Sequence, residues 1–484
     1  MLEIQKALPE EVGISSESIL KFLKRLDMQN IPMHSVQIMR KGRLVFEGYY
    51  APCRKGELHR MFSVTKSFTS MAVGKLEEEG YISLDDPIIK YFPEFDSENV
   101  HPWVRGTTIR NMLEMRTCHS FTTYKADFNK NWVESFFAAT PNHKPGTVFH
   151  YDTSSSHTLC ALVEKLTGQP MLEYLKDKVL REIGFSEESY ILKDPFGTSM
   201  GGSGLMATSE DLLRFGILLM QRGEINGKQL ISRKYLEKAT TCQVENMVKG
   251  PTVSECQGYG YQIWMGQHES FMCLGMGGQL VLCYPKQELL CVTTADTQGI
   301  GGGNQFIMDC LYEEILSRLS EVPLERNGLG GEDLQNYTKQ MQIRPLSYVR
   351  GKKCTQIQNQ KVNGRKYAFE DNLQGFQEMS LKVETSGEGI LTFVLKGNSY
   401  HFNFGYEKVQ TDCFPIHEMR CASSGMWLDE NTFYIRTLLL DTACGSIHFQ
   451  LFFGKDDLTV FMKKDDELLF CEFTGHIYGK AAES

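Results

Sequence analysis

The feature that most constrains this chain is a serine three residues before a lysine, at the start of an apolar helical segment. Ser63 and Lys66 open the run SVTKSFTSMAVGKLEEEG, whose pattern predicts a helix from about Ser63 to Glu79 that stops at Gly80. Residues three apart lie on one face of a helix, so the hydroxyl and the amine can touch. A serine hydroxyl becomes an effective nucleophile only when a neighbouring group takes its proton. The pair therefore predicts nucleophilic catalysis.

The same spacing also arises by chance in a chain of 484 residues. Ser18 and Lys21 form such a pair within residues 15–28, a segment with the apolar spacing of an amphipathic helix. We interpret that pair as part of a solvated polar face. Ser63 differs because its motif begins an apolar helix, where its backbone N–H is unpaired and can donate to an oxyanion.

Other segments predict a mixed fold in the first two thirds of the chain. Residues 35–50 have the pattern of a hairpin with a turn at Lys41-Gly42. Residues 258–265, 271–284 and 289–296 are each predicted to form one strand, and the short connections make them antiparallel neighbours. Residues 303–320 have the apolar spacing of a helix.

The composition changes at residues 321–345, which are polar and contain several glycines. Beyond them, runs such as GILTFVLKG and SIHFQLFFG alternate with turn residues and predict an antiparallel barrel or sandwich. We therefore predict a first domain over residues 1–322, a linker over 323–344 and an all-β domain over 345–484. Three roles stay open for the second domain: covering the mouth of the active site, mediating dimers or binding a second ligand.

Several segments, taken in order, resemble the class C β-lactamase and esterase superfamily of serine enzymes. They are HRMFSVTKSFTS, PGTVFHYDTSSSHTLCALVEKLTG, GGSGLMATSEDLLRFGILL and LGMGGQ, and the resemblance extends over roughly residues 8–320. It implies the α+β fold of β-lactamases and transpeptidases: an antiparallel sheet flanked by helices, with an all-helical subdomain.

The resemblance also implies roles for residues after the first motif. The second motif of the family is Tyr-x-Asn, and the matching residues here are Tyr151, Asp152 and Thr153. By resemblance, Tyr151 is a phenol close to Ser63 and Lys66 that relays the proton as general base or acid. Thr153 replaces the usual Asn, so its hydroxyl has a shorter reach than the amide would have.

The third motif of the family, K-T-G or H-x-G, matches residues 275–279 of this chain. Met276 stands where Lys or His is usual, and methionine cannot attract a substrate carboxylate. Gly277 and Gly278 allow a substrate to approach the backbone closely. The N–H of Gln279 is the expected second oxyanion donor.

The chain is therefore predicted to be a serine hydrolase that cleaves a small ester or amide through an acyl-enzyme on Ser63. Lys66 and Tyr151 are the expected acid-base pair. Two alternatives stay open. The first is a non-catalytic ligand-binding homologue, suggested by Thr153 and Met276. The second is a β-lactamase or D-Ala peptidase, which Met276 and the lack of an export signal disfavour.

The net charge and the cysteine pattern limit the classes of partner and cofactor that we expect for this chain. With 60 acidic and 51 basic residues the net charge is −9. An acidic protein does not attract the phosphate backbone, so we do not expect nucleic-acid binding. No stretch is apolar for long enough to span a bilayer, and no secretory signal is recognised. The 14 cysteines form no C-x-x-C pair or zinc-ligand spacing. We expect a cytoplasmic protein with a small-molecule substrate, no metal and no cofactor.

Overall fold

The computed structural model describes residues 2–248, 250–326, 328–346, 362–466 and 469–482. The α-helices whose bounds are described end at or before Lys339. In chain order they are α1 (Ser16–Met28), α2 (Val64–Glu78), α3 (Pro102–Arg105), α4 (Ile109–Leu113), α5 (Trp132–Ala138), α6 (Thr153–Thr167), α7 (Met171–Leu175), α8 (Arg181–Ile183), α9 (Ser209–Met220), α10 (Arg233–Ala239), α11 (Gly303–Glu314) and α12 (Gly328–Lys339).

The strands fall into two groups, one on each side of the segment around α12. The first group is β1 (Gln5–Lys6), β2 (Met33–Arg40), β3 (Arg43–Tyr49), β4 (His59–Arg60), β5 (Tyr190–Ile191), β6 (Leu205–Ala207), β7 (Glu224–Ile225), β8 (Lys228–Gln229), β9 (Trp264–Gly266), β10 (Ser270–Gly275), β11 (Gln279–Tyr284) and β12 (Leu289–Ala295). The second is β13 (Lys366–Phe369), β14 (Phe376–Val383), β15 (Glu388–Leu395), β16 (Asn398–Tyr406), β17 (Gln410–Phe414), β18 (Met419–Trp427), β19 (Thr432–Leu440), β20 (Cys444–Phe453), β21 (Asp457–Asp465) and β22 (Gly475–Ala481).

A seven-stranded sheet forms the centre of the first group, in the order β1-β3-β2-β12-β11-β10-β9. Its neighbours are antiparallel except for β1 and β3. One apolar core, which includes α2 and α9, packs on one side of the sheet, and a second core, which includes α1 and α11, packs on the other. The helices between residues 102 and 183 form the helical part beside α2. The predicted architecture, an antiparallel sheet flanked by helices, is confirmed.

Helix α2 is the rigid element that carries the first motif. Every residue from Val64 to Leu76 is buried, as expected for a helix that is enclosed by its neighbours and not laid on a surface. Phe68 stacks on Phe215 of α9, with 3.9 Å between the ring centroids. Because packing fixes the helix on all sides, the position of Ser63 at its first turn is fixed as well.

The strand prediction for residues 258–296 is correct in its antiparallel order and wrong in its count. The run 271–284 is a hairpin of β10 and β11, not one strand, and the first predicted run, 258–265, contributes only Trp264 and Met265 to β9. The chain reverses at Met276–Gly278, where Gly277 has φ +81° and Gly278 has φ +93°. Only glycine adopts such angles readily, so the third motif forms a turn.

The C-terminal strands form a closed barrel, which settles the choice between barrel and sandwich. Nine strands follow one another in the order β16-β15-β14-β13-β22-β21-β20-β19-β18, and a short parallel pairing of β16 with β18 closes the ring. Strand β17 adds a hairpin to β18. Alternating residues such as Leu391 and Phe393 fill the interior with an apolar core that is rich in aromatic residues.

The segment predicted as a linker contains helix α12. Its glycines and polar residues have the composition of a loop, but Leu334 is buried and Tyr337 donates a hydrogen bond to Asp27 of α1. Arg344 pairs with the same carboxylate at 2.7 Å. Asn327 of this segment, and residues 347–361 at the start of the predicted C-terminal domain, lie outside the described residues. The boundaries 1–322 and 345–484 stay a prediction.

The barrel packs against the segments that border the first turn of α2. Arg420 of the barrel forms a two-bond ion pair with Glu57, at 2.6 and 2.9 Å. Arg60 donates to the carbonyl of Thr442 at 3.1 Å, and Gln298 donates to the carbonyl of Cys444 at 2.5 Å. These contacts connect the barrel to the strand before Ser63 and to the loop after β12.

Candidate active site

Ser63 occupies the N-cap position of α2, as the sequence predicts. Its backbone N–H donates no hydrogen bond to any described residue, so it is available to an oxyanion. The preceding residue, Phe62, has φ +45°, a left-handed conformation that an aromatic residue seldom adopts. Strain of this kind persists only where packing enforces it, and here it directs the chain sharply into the helix.

Lys66 lies against Ser63, as the spacing predicts. Its Nζ donates to Ser63 Oγ at 3.0 Å and to the carbonyl of Gly202 at 2.6 Å. The side chain is 1% exposed. The same nitrogen lies 4.9 Å from the centre of the Tyr151 ring, within cation–π range. These contacts hold the buried amine directly beside the serine hydroxyl.

Tyr151 completes the cluster. Burial raises the pKa of its phenol, and hydrogen bonding by the side chains of Ser63 and Trp264 opposes that rise. Trp264 lies at the start of β9, and its ring centroid is 5.1 Å from that of Tyr151. The structure thus brings Ser63, Lys66 and Tyr151 together, although they come from one helix and a loop 85 residues later.

Asp152 is a buried acid beside this cluster. Its Oδ1 accepts hydrogen bonds from the N–H of Ser154, at 2.8 Å, and from the Ser154 hydroxyl, so the Asp152 carboxylate caps the N-terminus of helix α6. Its Oδ2 is buried and has no hydrogen-bond partner among the described residues. Burial raises the pKa of Asp152 to about 6, while its Ser154 bonds and the charge of Lys66 act in the opposite direction.

Asp152→Asn should flatten the pH dependence of stability. The folded-state pKa lies above the ordinary value of 3.8, so the cost of ionising Asp152 is absent below about pH 4 and complete above about pH 6. The amide keeps the cap oxygen but carries no charge. Measured by urea unfolding, the variant should gain on the order of 1 kcal/mol relative to wild type between pH 5 and pH 8. Parallel pH profiles of the two proteins would contradict this.

Thr153, at the first turn of α6, lines the cavity in front of Ser63. The carbonyl of Gly202 accepts a hydrogen bond from the Lys66 amine. A Cβ at Gly202 would lie 2.4 Å from Thr153 Cγ2, so only glycine fits beside the threonine. Gly202 is the residue that sequence reasoning missed. Its signal was the GGSG turn, which the sequence analysis used only as a mark of resemblance.

The four residues predicted from the third motif separate into two pairs. Met276 and Gly277 line the cavity, whereas Gly278 and Gln279 are not among its lining residues. The buried side chain of Gln279 stabilises the turn by donating to the carbonyls of Met276 and Ala295, both at 2.8 Å. The side chain is therefore a structural support. The role of the Gln279 backbone N–H as an oxyanion donor stays a prediction.

The cavity in front of Ser63 has a volume of about 670 Å³, a size suited to a small organic molecule. Aromatic and small polar residues dominate its lining, and no described residue of the barrel contributes to it. Its only charged lining residues among the described ones are Lys125 and Glu255.

A second cluster of chemically active side chains lies at the junction with the barrel. His34, His59 and Cys444 bring ligand-type atoms within 4.8 Å of one another. His59 Nδ1 donates to the carbonyl of Arg60 at 2.9 Å, so its Nε2 accepts from His34 Nδ1 at 2.8 Å. Two nitrogen ligands of one tetrahedral zinc would lie about 3.3 Å apart. We interpret the cluster as a hydrogen-bonded histidine pair, and the absence of a metal stays a prediction.

Fold and site together define the class: a fold of the β-lactamase and penicillin-recognising type, with a serine, a lysine and a tyrosine gathered at the first turn of its central helix. More than half of the chain, residues 21–303, matches the sequence profile described as Beta-lactamase. The chain belongs to the beta-lactamase family.

Two curated relatives are distant and are matched over only part of their own length. A 6-aminohexanoate-dimer hydrolase of Paenarthrobacter ureafaciens is 23% identical over 226 residues, which is 41% of this chain and 55% of that protein. Protein flp of Staphylococcus aureus strain MW2 is 26% identical over 199 residues, 37% of this chain and 40% of that protein. The chain thus spans about half or less of the length of these two relatives.

Two solved structures have a fold similar to that of this chain. A Bacillus anthracis protein described as a 6-aminohexanoate-dimer hydrolase superposes with a TM-score of 0.54 at 22% identity, over 66% of this chain and 89% of that one. EstCE1, a hydrolase with promiscuous acyltransferase activity, gives 0.50 at 16% identity, over 61% of this chain and 97% of that one. Among the described residues, no helix is both long and apolar enough to cross a membrane.

Proposed function

We propose that this protein is a serine hydrolase that cleaves a small ester or amide through an acyl-enzyme on Ser63. One observation carries the proposal: the 3.0 Å contact between Lys66 Nζ and Ser63 Oγ, which faces a cavity large enough for a small molecule. An amine buried beside a cavity-lining hydroxyl has the geometry that nucleophile activation requires.

The chemistry follows from that contact. In its neutral form, Lys66 accepts the proton of the Ser63 hydroxyl as Oγ attacks the substrate carbonyl carbon. The carbonyl electrons move onto oxygen, and the free N–H of Ser63 stabilises the oxyanion. Tyr151 donates its proton to the leaving group, whose bond to carbon then breaks, and Lys66 gives the proton it took from Ser63 to Tyr151. Water then attacks the acyl carbon and gives a proton to the Lys66–Tyr151 pair. The pair returns a proton to Ser63 Oγ as its bond to the acyl carbon breaks, and the acid is released.

The proposed substrate class follows from the side chains that line the cavity. Met276 lines the cavity with a neutral side chain. The family that the chain resembles usually has Lys or His at this position. A ligand anchored there by a carboxylate is therefore disfavoured, which speaks against β-lactams and D-Ala peptides. Relatives described as a 6-aminohexanoate-dimer hydrolase and as a hydrolase with acyltransferase activity are consistent with amide or ester cleavage.

Tyr151→Phe tests the proton relay. It removes one hydroxyl and keeps the ring that lies 4.9 Å from Lys66 Nζ. We expect kcat for a p-nitrophenyl ester to fall about 10²- to 10⁴-fold, the usual value of a positioned acid or base, with KM little changed. Tyr259→Phe is the matched control, since it removes a buried phenol hydroxyl next to Tyr151 but outside the cavity lining. Equal kcat in the wild type and Tyr151→Phe would remove Tyr151 from the mechanism.

A further inference from the structure

Glu255 is a buried carboxylate that the proposed reaction does not use. It lies in a single helical turn, Ser254–Cys256, is 5% exposed and lines the cavity in front of Ser63. Its backbone is bonded locally, through the N–H to Thr252 and the carbonyl to Asn246. Burial is the single influence on the pKa of its carboxylate, which has no hydrogen-bond or ion-pair partner among the described residues.

A buried carboxylate without a partner lowers the stability of the folded protein. Burial alone raises the pKa of Glu255 to about 7, because nothing in the described protein compensates the lost hydration. A buried acid without a partner is destabilising, so its presence in a cavity indicates a partner that arrives with the ligand. The partner that restores the lost interaction is a cation, which holds the carboxylate ionised.

The surroundings of Glu255 favour the same kind of ligand. Trp264 and Tyr124 line the same cavity, and the faces of such rings attract ammonium groups. The charged and titratable groups nearby are Tyr151, whose pKa the charge of Glu255 raises, and Lys125, which is exposed at the cavity rim. Because the charge of Lys125 is screened by solvent, the buried Glu255 dominates the field that a ligand meets inside the cavity.

We propose that Glu255 is a specificity-determining residue that binds an ammonium group of the substrate. This proposal rests on the proposed hydrolase function. The substrates of this protein are then esters or amides with a cationic amine a few bonds from the scissile carbonyl. This reverses the charge preference of a site that binds a carboxylate, in agreement with a neutral methionine at position 276.

The test compares two esters of the same shape. The p-nitrophenyl ester of 4-(trimethylammonio)butanoate is cationic, and that of 5,5-dimethylhexanoate is its neutral isostere. Wild type should prefer the cationic ester in kcat/KM by about 10-fold or more, and Glu255→Gln should lose about 10- to 100-fold more on that ester than on the neutral one, so that the preference disappears. Glu245→Gln, an exposed acid ten residues earlier, is the matched control and should behave as wild type.

A binding measurement keeps this inference separate from the hydrolase proposal. Butyltrimethylammonium chloride should bind Ser63→Ala, measured by calorimetry, and bind the double variant Ser63→Ala/Glu255→Gln about 10-fold or more weakly. Equal binding to both proteins, or an unchanged preference in Glu255→Gln, would overturn the role of Glu255. Failure of the wild type to turn over either ester would instead count against the hydrolase function, and the binding result would still decide the role of Glu255.

Discussion

Ser63→Ala should lower the turnover of a p-nitrophenyl ester about 10⁴-fold or more. The alanine has no nucleophilic atom, so only the weak acceleration that comes from binding and oxyanion contacts remains. Stability should change little, because the hydroxyl faces the cavity and caps no backbone group of α2. Initial rates and thermal unfolding, measured on the same preparation, separate the two effects.

The chain contains its own control for this substitution. Ser18 and Lys21 repeat the spacing of the first motif, but Ser18 bonds to Ser15 at the start of α1 and Lys21 pairs with Glu17 in solvent. Ser18→Ala should therefore retain full turnover. A Ser63→Ala protein that hydrolysed the ester at the wild-type rate, or a Ser18→Ala protein that lost activity without unfolding, would contradict the assignment of the nucleophile.

Lys66→Met should lower kcat/KM about 10²- to 10⁴-fold while the cavity keeps its shape. Methionine has a similar volume and cannot accept the proton of Ser63 Oγ. The substitution also removes the donor that binds the carbonyl of Gly202 at 2.6 Å, which should cost about 1–3 kcal/mol of unfolding free energy. The two losses are distinguished by measuring kcat/KM well below the unfolding temperature and stability by calorimetry.

Lys21→Met is the matched control for that experiment. Lys21 is half exposed and lies far along the chain from the cavity lining, so its loss should change neither the rate nor the cavity. If Lys66→Met remained folded and reacted with a fluorophosphonate at the wild-type rate, the amine would not be what activates Ser63.

Much of the fold could be predicted because its signals are local. The apolar run after Ser63 predicts α2, and the alternation after residue 345 predicts the β-rich C-terminal domain. Helix α12 was missed because its sequence, GLGGEDLQNYTK, has the composition of a loop, and its stability comes from contacts with α1. The turn at Met276–Gly278 was missed because a Gly-rich break inside an apolar run leaves the strand pattern intact on both sides.

The site residues also differ in whether the sequence could predict them. Ser63 and Lys66 could be paired from helix geometry alone, and Tyr151 came from a family resemblance that no spacing rule provides. The carbonyl of Gly202 lies 136 residues from Lys66 and carries no side chain, so nothing in the sequence connects the two. Glu255 is one acid among 60 acidic residues, and only its burial in the cavity distinguishes it from the others.

The most direct test of the account is to locate the reactive serine by mass spectrometry after labelling with a fluorophosphonate. The account predicts a single covalent adduct on the peptide that contains Ser63, and a much slower reaction in Lys66→Met. An adduct on another serine, or an unlabelled Ser63 in a folded protein, would contradict it.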